Sequence, residues 1–407
     1  MSFRVSLSGM NAAQSDLNVT SNNIANSNTT GFKQSRAEFA DVYPTSAYGL
    51  SKNTIGAGVR LQRVAQQFSQ GTIENTGKAL DLAINGKGFF TLSANGTTVY
   101  SRAGNFGTDK DGFVVNPSGQ RLQVYLPDAS GSGFDMGRMS DLQLDSGDSP
   151  PLATSNVAVG TNLPGNASVP VTATFNPADP TSYNYTTSMT VYDSLGASHS
   201  QSLYFVKTAN PNEWQAYTTI DGTAVGGAQT LQYSTTGTLT SPVAPGNITL
   251  PAYTPTTGAA PMNITLNVGN STQYGSNFSV AALTQDGHTT GRLTGIEVGS
   301  DGVVQARYTN GVSTPLGQVV VTNFSNPQGM QPLGDNAWAE TSESGQPMRG
   351  AAGTAEFGNV QGGALESSNV DLTEQLVNMI TAQRNFQANA QMITTQDQIT
   401  QTVINIR

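Results

Sequence analysis

Apolar residues recur at helical spacing only at the two ends of this chain, and everything between them reads as β. Phe3, Leu7, Met10, Leu17 and Ile24 near the N-terminus follow a three-to-four residue spacing, as do Leu372, Leu376, Met379, Phe386, Ala390 and Ile393 near the C-terminus. That spacing gives a helix one apolar seam. Two helices at opposite ends of a chain, with no helical core of their own, need partners. The pattern points to an assembly device rather than a catalyst.

The 407 residues are enough for two or three domains. Only 11% of residues are charged, while 36% are hydrophobic, so folded cores are expected and ions are replaced by Asn, Gln, Ser and Thr. Net charge is −9 and the 18 basic residues form no stripe, which argues against nucleic acid as a partner. With no cysteine, disulfides and thiolate metal sites are excluded. The opening MSFRVSLSGMNAAQ has no unbroken apolar stretch of the kind a cleavable signal needs, and no run of ~20 apolar residues predicts membrane insertion.

The first helix is predicted to stop at the turn-forming cluster Asn26-Ser27-Asn28-Thr29-Thr30-Gly31. Residues 31–70, with Pro44, Gly49, Gly56 and Gly58, read as an irregular connector packed beside the helices. From Gly71 the period becomes two. Asn85-Gly86 and Asn95-Gly96 fall between apolar runs and predict hairpins, because a type I′ turn needs positive φ at both central residues. Asp109-Lys110-Asp111-Gly112 reads as a third hairpin turn. Ser188–Tyr192, Gln201–Val206 and Glu213–Thr219 suggest a meander in a sandwich or barrel-like domain, with further strands at 248–250 and 262–268. Residues 146–151 and 284–291 read as linkers, with Gly147, Pro150, Pro151, Gly287 and Gly291 as hinge candidates. Strands resume at 295–298, 303–308 and 316–322. The expected class is mainly β with terminal α-helices, in nested discontinuous domains. A coiled-coil-like inner domain comes from residues 1–30 plus 366–407, and residues 31–70 pack beside it. One β domain spans 71–145 plus 291–365, and a second, inserted outer β domain spans 146–290.

From Leu372 to Arg407 there is neither Gly nor Pro, which predicts a helix of about 36 residues and about 54 Å. Asp371 to Glu374 and Ser368 to Asp371 both offer N-terminal caps. The seam runs to Ile393 and then shifts to Ile399, Val403 and Ile406. Its flanks carry Asn378, Gln383, Asn385, Gln387, Asn389, Gln391, Gln396, Gln398 and Gln401 where a two-stranded coiled coil carries Glu and Lys. Amides tolerate burial against several neighbours better than ions do. Two readings follow: a solitary antiparallel helix pair with polar surfaces, or a multi-subunit helical wall whose remaining face lines a lumen.

No catalytic constellation is present. There is no nucleophile elbow, zinc-protease motif, phosphate loop or dinucleotide fingerprint. His199 and His288 lie in polar, turn-like contexts without a second ligand at metal spacing and are read as ordinary surface residues. Asp109-Lys110-Asp111-Gly112 places Phe113 where a calcium loop needs oxygen. No cofactor is implied.

Asn22-Asn23-Ile24-Ala25-Asn26, followed by Asn28-Thr29 and Gly31-Phe32-Lys33, resembles the N-terminal signature of the axial rod and hook proteins of the bacterial flagellum. Ser368-Asn369-Val370-Asp371 with Gln383-Arg384-Asn385-Phe386-Gln387-Ala388-Asn389 is similar to their C-terminal signature, and Gln70-Gly71 through Gly88-Phe89-Phe90 fits as well. The resemblance covers roughly residues 1–145 and 290–407. Val191–Gly196, Tyr204–Lys207 and Glu213-Trp214 look like the family's outer domain. Length and that domain favour the hook member over the distal rod member. The long connector between Phe39-Ala40-Asp41 and Gly58-Val59 leans towards the rod pattern.

The resemblance implies a non-enzymatic subunit that self-assembles into a flexible tubular joint transmitting motor torque to the filament. It implies export without signal cleavage through the flagellar type III apparatus, an extracellular location in the basal body and hook, and contacts with distal rod, hook cap and hook–filament junction proteins. A distal rod-like subunit, or a β-rich surface adhesin or tail-like protein, are the alternatives. An adhesin would not need helices at both ends.

Overall fold

The computed structural model describes residues 2–43, 56–128, 133–144, 147–354 and 356–405. Pro44 and Gly49 of the connector, Ser146 and the seam residue Ile406 lie outside them. The chain divides into two compact units, one of Met1–Ser146, Gly295–Ala306 and Ser313–Arg407, the other of Gly147–Thr294 and Arg307–Val312.

In the first unit, helix α1 spans Ser2–Ala25 and helix α2 spans Leu372–Asn405. Asn26 ends α1 as its turn chemistry dictates: its backbone N–H and its side-chain amide both donate to Asn22 O, at 3.1 and 2.9 Å. Asp371 starts α2. Its Oδ1 accepts from the N–H groups of Thr373 (2.8 Å) and Glu374 (3.2 Å), which otherwise have no partner in a first turn. The helices run antiparallel, with Asn23 beside Gln375 and Gly9 beside Asn389.

Residues 31–70 are more regular than their composition suggests. Ser35–Val42 pairs antiparallel with Gly58–Gln66, with a bulge between Glu38 and Phe39. Its alternation is hard to see in sequence because neither face is deeply buried. The hairpin is tied to α1: Asn23 Nδ2 donates to Ser35 O (2.8 Å), Ser35 N–H donates to Asn23 Oδ1 (2.9 Å), and Val59 N–H donates to Ser8 Oγ (3.2 Å). Its far end is held by Trp338 Nε1 donating to Gln66 Oε1 at 2.6 Å, and by Phe68 set edge-on to Phe89 and Trp338.

The β part of this unit is built around Ser313–Asn323, which pairs antiparallel with Arg121–Pro127, Phe89–Ala94 and Met348–Ala351. Phe90, Leu92, Leu122, Val124, Val319 and Val321 fill the core. Asn95-Gly96 forms the predicted tight turn, with φ of 52° and 88°, between Phe89–Ala94 and Thr97–Ser101. Asn85-Gly86 does not. Leu82–Asn85 leaves the local partner and pairs with Asn359–Gly362 instead, so a long-range ladder overrides the local turn signal. At Asp109–Gly112, Asp109 Oδ1 accepts from the N–H groups of Asp111 and Phe113. The carboxylate is occupied in shaping a turn between Gly107–Thr108 and Val114–Val115.

The second unit is a two-sheet sandwich. One sheet orders Asn247–Thr249, Thr265–Asn267, Asn156–Asn162 and Ser279–Gln285, with the middle pair parallel. The other is the predicted meander, with Tyr185–Tyr192, Ser198–Lys207, Glu213–Ile220, Gln229–Tyr233 and Leu239–Ser241 each antiparallel to the next. Val157, Val159, Ile248 and Leu266 from the first sheet meet Val191, Leu203, Phe205, Trp214 and Leu231 from the second.

His199 corrects the surface reading. Along Ser198–Lys207 every second residue points inward, and His199 heads that buried row above Gln201, Leu203, Phe205 and Lys207. Its Nδ1 lies 2.6 Å from Asp221 Oδ2 and its Nε2 3.3 Å from Asp193 Oδ2, which also accepts from Thr257 Oγ1 at 2.7 Å. Burial alone would push the imidazole pKa down; the two carboxylates outweigh it and the pKa is raised. For Asp193, burial would raise the pKa, but bonds from Thr257, the Ala197 N–H, His199 and the Leu195 N–H together bring it to about 2. The partners stand 6 and 22 residues away in sequence, so no local spacing announces the cluster. His288 is half-buried, with its backbone paired to Leu152.

Candidate functional site

The contact between α1 and α2 is built from small and polar side chains rather than from the apolar seam. On α1 the buried positions Ser6, Ala13 and Thr20 repeat every seven residues, and Asn23 is buried beside them. On α2, Gln375 and Ala382 are buried at the same spacing, and Asn389 continues the row. Seven-residue spacing keeps a row on one side of a helix over several turns. At Gly9 the Asn389 side chain lies against the α1 backbone, so that a Cβ would lie 2.5 Å from its Oδ1. Asn23 Nδ2 also donates to Gln375 Oε1 (3.1 Å), so one buried amide joins both helices and the hairpin.

The large apolar residues expected in the seam are distributed differently. Met10, Leu17, Ile24, Met379, Phe386 and Ile393 are half-buried. Leu7, Leu372, Leu376, Ile399 and Val403 are exposed, as are Phe3, Val377, Ile380, Met392 and Ile404. Leu376 retains 51% and Val403 64% of its accessible surface. A single chain therefore pairs its helices through a narrow seam and leaves most of its helical apolar surface in water. The reading of a solitary pair with polar outer faces does not describe this end of the molecule. A scan for large apolar residues misses the Ser6–Ala13–Thr20 row, whose only sequence signal is its seven-residue spacing.

Gly31, Phe32, Asn369 and Asp371 of the signatures gather where the helices join the β part, whereas Gln383 and Arg384 lie within α2. Gly31 has φ of +69° and donates its N–H to Glu366 O at 2.8 Å. A Cβ there would meet Ala103 N at 2.5 Å, so both conformation and space require glycine. Asn369 Oδ1 accepts from Gln34 N–H (2.7 Å), while its Nδ2 donates to Gln67 O (2.9 Å) and Ser69 O (3.1 Å). Phe32 is half-buried, and its N–H donates to Thr29 O. Asn22, Ala25, Asp371, Gln383 and Arg384 are exposed.

Beneath this joint lies an ion cluster that the sequence reading did not single out. The side chain of Glu366 is fully buried and accepts from Lys33 Nζ (2.6 Å), Arg102 Nη1 (3.1 Å) and Gly71 N–H (2.9 Å). Lys33 also donates to Ser69 O, and Arg102 to the carbonyls of Ile84 and Gly86. Burial pushes the Lys33 and Arg102 pKa values down, and Glu366 opposes the shift in both. Removing one member of such a cluster costs about 3–5 kcal/mol, because the remaining charges stay buried without compensation. The cluster ties the segment leaving α1 to the segment entering α2. The one available signal was three separated charges in a chain with few.

The linker segments are bonded to each other. Ser149 N–H donates to Gly291 O (2.7 Å) and Leu152 N–H to His288 O (3.0 Å), with both bonds reciprocated. Gly287 abuts Thr154 and Gly291 abuts Asn310; a Cβ on either would lie within 3 Å of its neighbour. Gly147 and Pro150 are exposed and Pro151 is half-buried.

Among the described residues no group of His, Asp or Glu side chains is arranged to hold a metal ion, and no helix is long and apolar enough to cross a membrane. What the helical end offers is apolar surface and amides, which bind protein rather than a reacting substrate.

Comparison with known proteins agrees with that geometry. Residues 3–33 match the family described as flagella basal body rod protein, and residues 361–406 match flagellar basal body rod FlgEFG protein C-terminal. Residues 83–165 match flagellar hook protein FlgE/F/G D1 domain, and residues 162–288 match flagellar basal body protein FlaE D2 domain. The chain is 40% identical to flagellar hook protein FlgE of Escherichia coli (strain K12) over 413 residues, covering all of both chains. It is 34% identical to the same protein of Borreliella burgdorferi over 435 residues, covering 98% of each. A crystal structure of Helicobacter pylori flagellar hook protein FlgE2 shares the fold, with a TM-score of 0.55 at 15% identity over 72% of this chain and all of that one. The chain belongs to the flagellar hook protein family, whose members are structural proteins and not enzymes.

Proposed function

We propose that this chain polymerises with copies of itself through α1 and α2 into the tube of the flagellar hook, a flexible universal joint that carries motor torque to the filament. The observation that carries this reading is the exposed apolar surface of both helices, present even though the helices are already paired. A contact that repeats between copies without closing on itself builds a helical tube. The helices, from residues 1–30 and 366–407, form the inner wall, and residues 71–145 plus 291–365 and 146–290 form the outer β domains. Segments 146–151 and 284–291 act as the hinges, yielding at the short ladder between Ser149, Leu152, His288 and Gly291.

At its ends the tube contacts distal rod, hook cap and hook–filament junction proteins. The subunit leaves the cell through the flagellar type III apparatus with its N-terminus retained. Two observations favour this: Ser6, Ala13, Thr20 and Asn23 are built into the helix pair, so cleavage would dismantle it, and the chain has no cysteine to oxidise outside the cell.

The test is electron microscopy of the purified protein. The full chain is expected to form tubes under polymerising conditions. A chain ending at Asp371 is expected to remain a monomer whose β units melt cooperatively. Tubes formed by the shortened chain would show that α2 is not the assembly element.

A further inference from the structure

We propose that Met392 on α2 is a site of reversible oxidation, and that its conversion to the sulfoxide by a peroxide stops the chain from assembling while leaving it folded. The inference rests on the self-assembly proposed above and adds a chemical control to it.

A chain without cysteine offers a peroxide no thiol, so its thioethers are the most readily oxidised side chains. The fold sorts the ten methionines by access. Met262 is buried in the sandwich core, and Met330 among Phe89, Tyr100, Phe324 and Trp338. Met10, Met139, Met189 and Met379 are half-buried. Met136, Met392 and Met348 are exposed, retaining 59%, 57% and 40% of their surface. Of these three, Met136 and Met348 lie on the strands Phe134–Asp141 and Met348–Ala351, and Met392 alone lies on a helix.

Met392 is three residues beyond Asn389, which abuts Gly9 of α1. It therefore stands about 60° around α2 from the side that faces α1. Ile399 and Val403 follow at seven and eleven residues, a spacing that keeps side chains in one stripe, and both are more than half exposed. Met392 thus heads an apolar stripe on the C-terminal half of α2. A thioether suits such a surface because it is apolar, adaptable and polarisable. Its sulfoxide is polar and accepts hydrogen bonds, which is costly wherever it is taken from water without a donor. In the single chain the side chain stays in water, so oxidation leaves the fold unstressed.

The step needs the peroxide alone. The sulfur lone pair attacks one peroxide oxygen and the O–O bond breaks. That oxygen stays on sulfur, and after proton transfer the other leaves as water. Sulfur gives up two electrons and the peroxide takes them. Methionine sulfoxide reductases, one for each sulfur epimer, return two electrons from a dithiol, release the oxygen as water and restore the thioether.

The test treats the folded full chain with dilute hydrogen peroxide. Peptide mass spectrometry follows each methionine, and cleavage after Arg384 leaves Met392 in a fragment with no other methionine. Met136 and Met392 should convert first, Met348 next, and Met262 and Met330 last. Assembly is read as the protein concentration at which tubes appear, by sedimentation and electron microscopy, and folding by circular dichroism. The oxidised wild-type chain is expected to need roughly tenfold more protein for tubes, with an unchanged melt. Met392→Leu, which nearly conserves volume, should assemble at the wild-type threshold and keep it after peroxide. Met136→Leu combined with Met348→Leu should stay as sensitive as wild type. Reductase treatment should return the oxidised wild-type chain to its first threshold. The switch is overturned if Met392 stays reduced while the half-buried methionines convert, or if chains oxidised at Met392 assemble at the untreated threshold. It is equally overturned if peroxide inhibits Met392→Leu as strongly as wild type, or if reducing Met392 again fails to restore tubes. Absence of tubes from the untreated wild-type chain overturns the self-assembly reading and the switch with it, an outcome decided before any peroxide is added.

Discussion

The sandwich of the second unit and the helical end of the first solve the same problem in opposite ways. In the sandwich, two sheets supply apolar rows that face each other, and Trp214, Phe205, Leu203 and Leu231 lose nearly all contact with water. The helical end pairs its helices through Ser6, Ala13, Thr20, Gln375 and Ala382 and leaves Leu376, Val377, Ile380, Val403 and Ile404 outside. At ~25 cal/mol per Å² buried, large apolar side chains drive folding where they are internal. Where they remain external they are a reserve for association. One region is complete within the chain; the other is complete only among copies.

The strongest way to break this contrast is at Trp214, whose indole fills the sandwich core between its sheets. Trp214→Ala should destabilise the second unit by about 3–5 kcal/mol, the range for emptying an aromatic site in a packed core. The chain has two tryptophans, and Trp338 lies in the other unit, so in the Trp214→Ala protein Trp338 fluorescence follows the first unit while circular dichroism reads the loss in the second. In the Trp214→Ala protein, Trp338 should report an unchanged melt. A matching loss in both units would show that they fold as one.

A smaller effect is expected from pH. His199 faces Asp193, Asp221 and Tyr253, the last edge-on at 6.0 Å between ring centroids. The His199 pKa is raised by its carboxylates, so the protonated ring stabilises the fold fully below its ordinary value of about 6.5. That stabilisation is lost as pH rises through the folded-state value. Asp193 works in the opposite sense: its pKa of about 2 stabilises above the ordinary carboxylate value of about 3.9 and is lost as pH falls towards 2. The second unit should therefore be most stable between about pH 4 and 6.5 and weaken as pH rises through the raised folded-state value of His199. His199→Gln should flatten the alkaline limb of that profile, measured by Trp214 fluorescence during urea unfolding. An unchanged slope would assign the pH dependence elsewhere.

The two regions also differ in how far their sequences betray them. The meander could be read because Gln201–Val206 and Glu213–Thr219 alternate cleanly, and alternation is what a half-buried strand imposes. Asn95-Gly96 could be read because its strands are neighbours; Asn85-Gly86 could not, because its strand pairs with residues some 270 positions away. The helices were legible as elements but not as a contact. Their innermost positions are small and polar, while hydrophobic periodicity registers a neighbouring stripe that is half-buried at Met10, Leu17, Ile24, Met379, Phe386 and Ile393 and exposed at Leu7, Leu372, Leu376, Ile399 and Val403. The ion cluster of Lys33, Arg102 and Glu366 was hidden for a similar reason, since only the fold brings those three residues together.

The sharpest form of the comparison is a substitution that should do almost nothing to the isolated chain. Val403 lies near the end of α2, beyond the level at which α1 begins, and 64% of its surface is open to water. Val403→Ser removes apolar surface without opening a cavity, because the side chain is largely exposed in the single chain. Surface changes of this kind stay within about 0.5 kcal/mol, so the monomer should melt as wild type. In the tube, the same side chain is expected to lie against another copy, where burying a hydroxyl and losing the apolar contact are costly. Tube yield should fall while the melt does not move. If the monomer is destabilised as strongly as the tube, Val403 belongs to the fold of the single chain. If neither changes, the apolar surface at this end of α2 is not part of the wall.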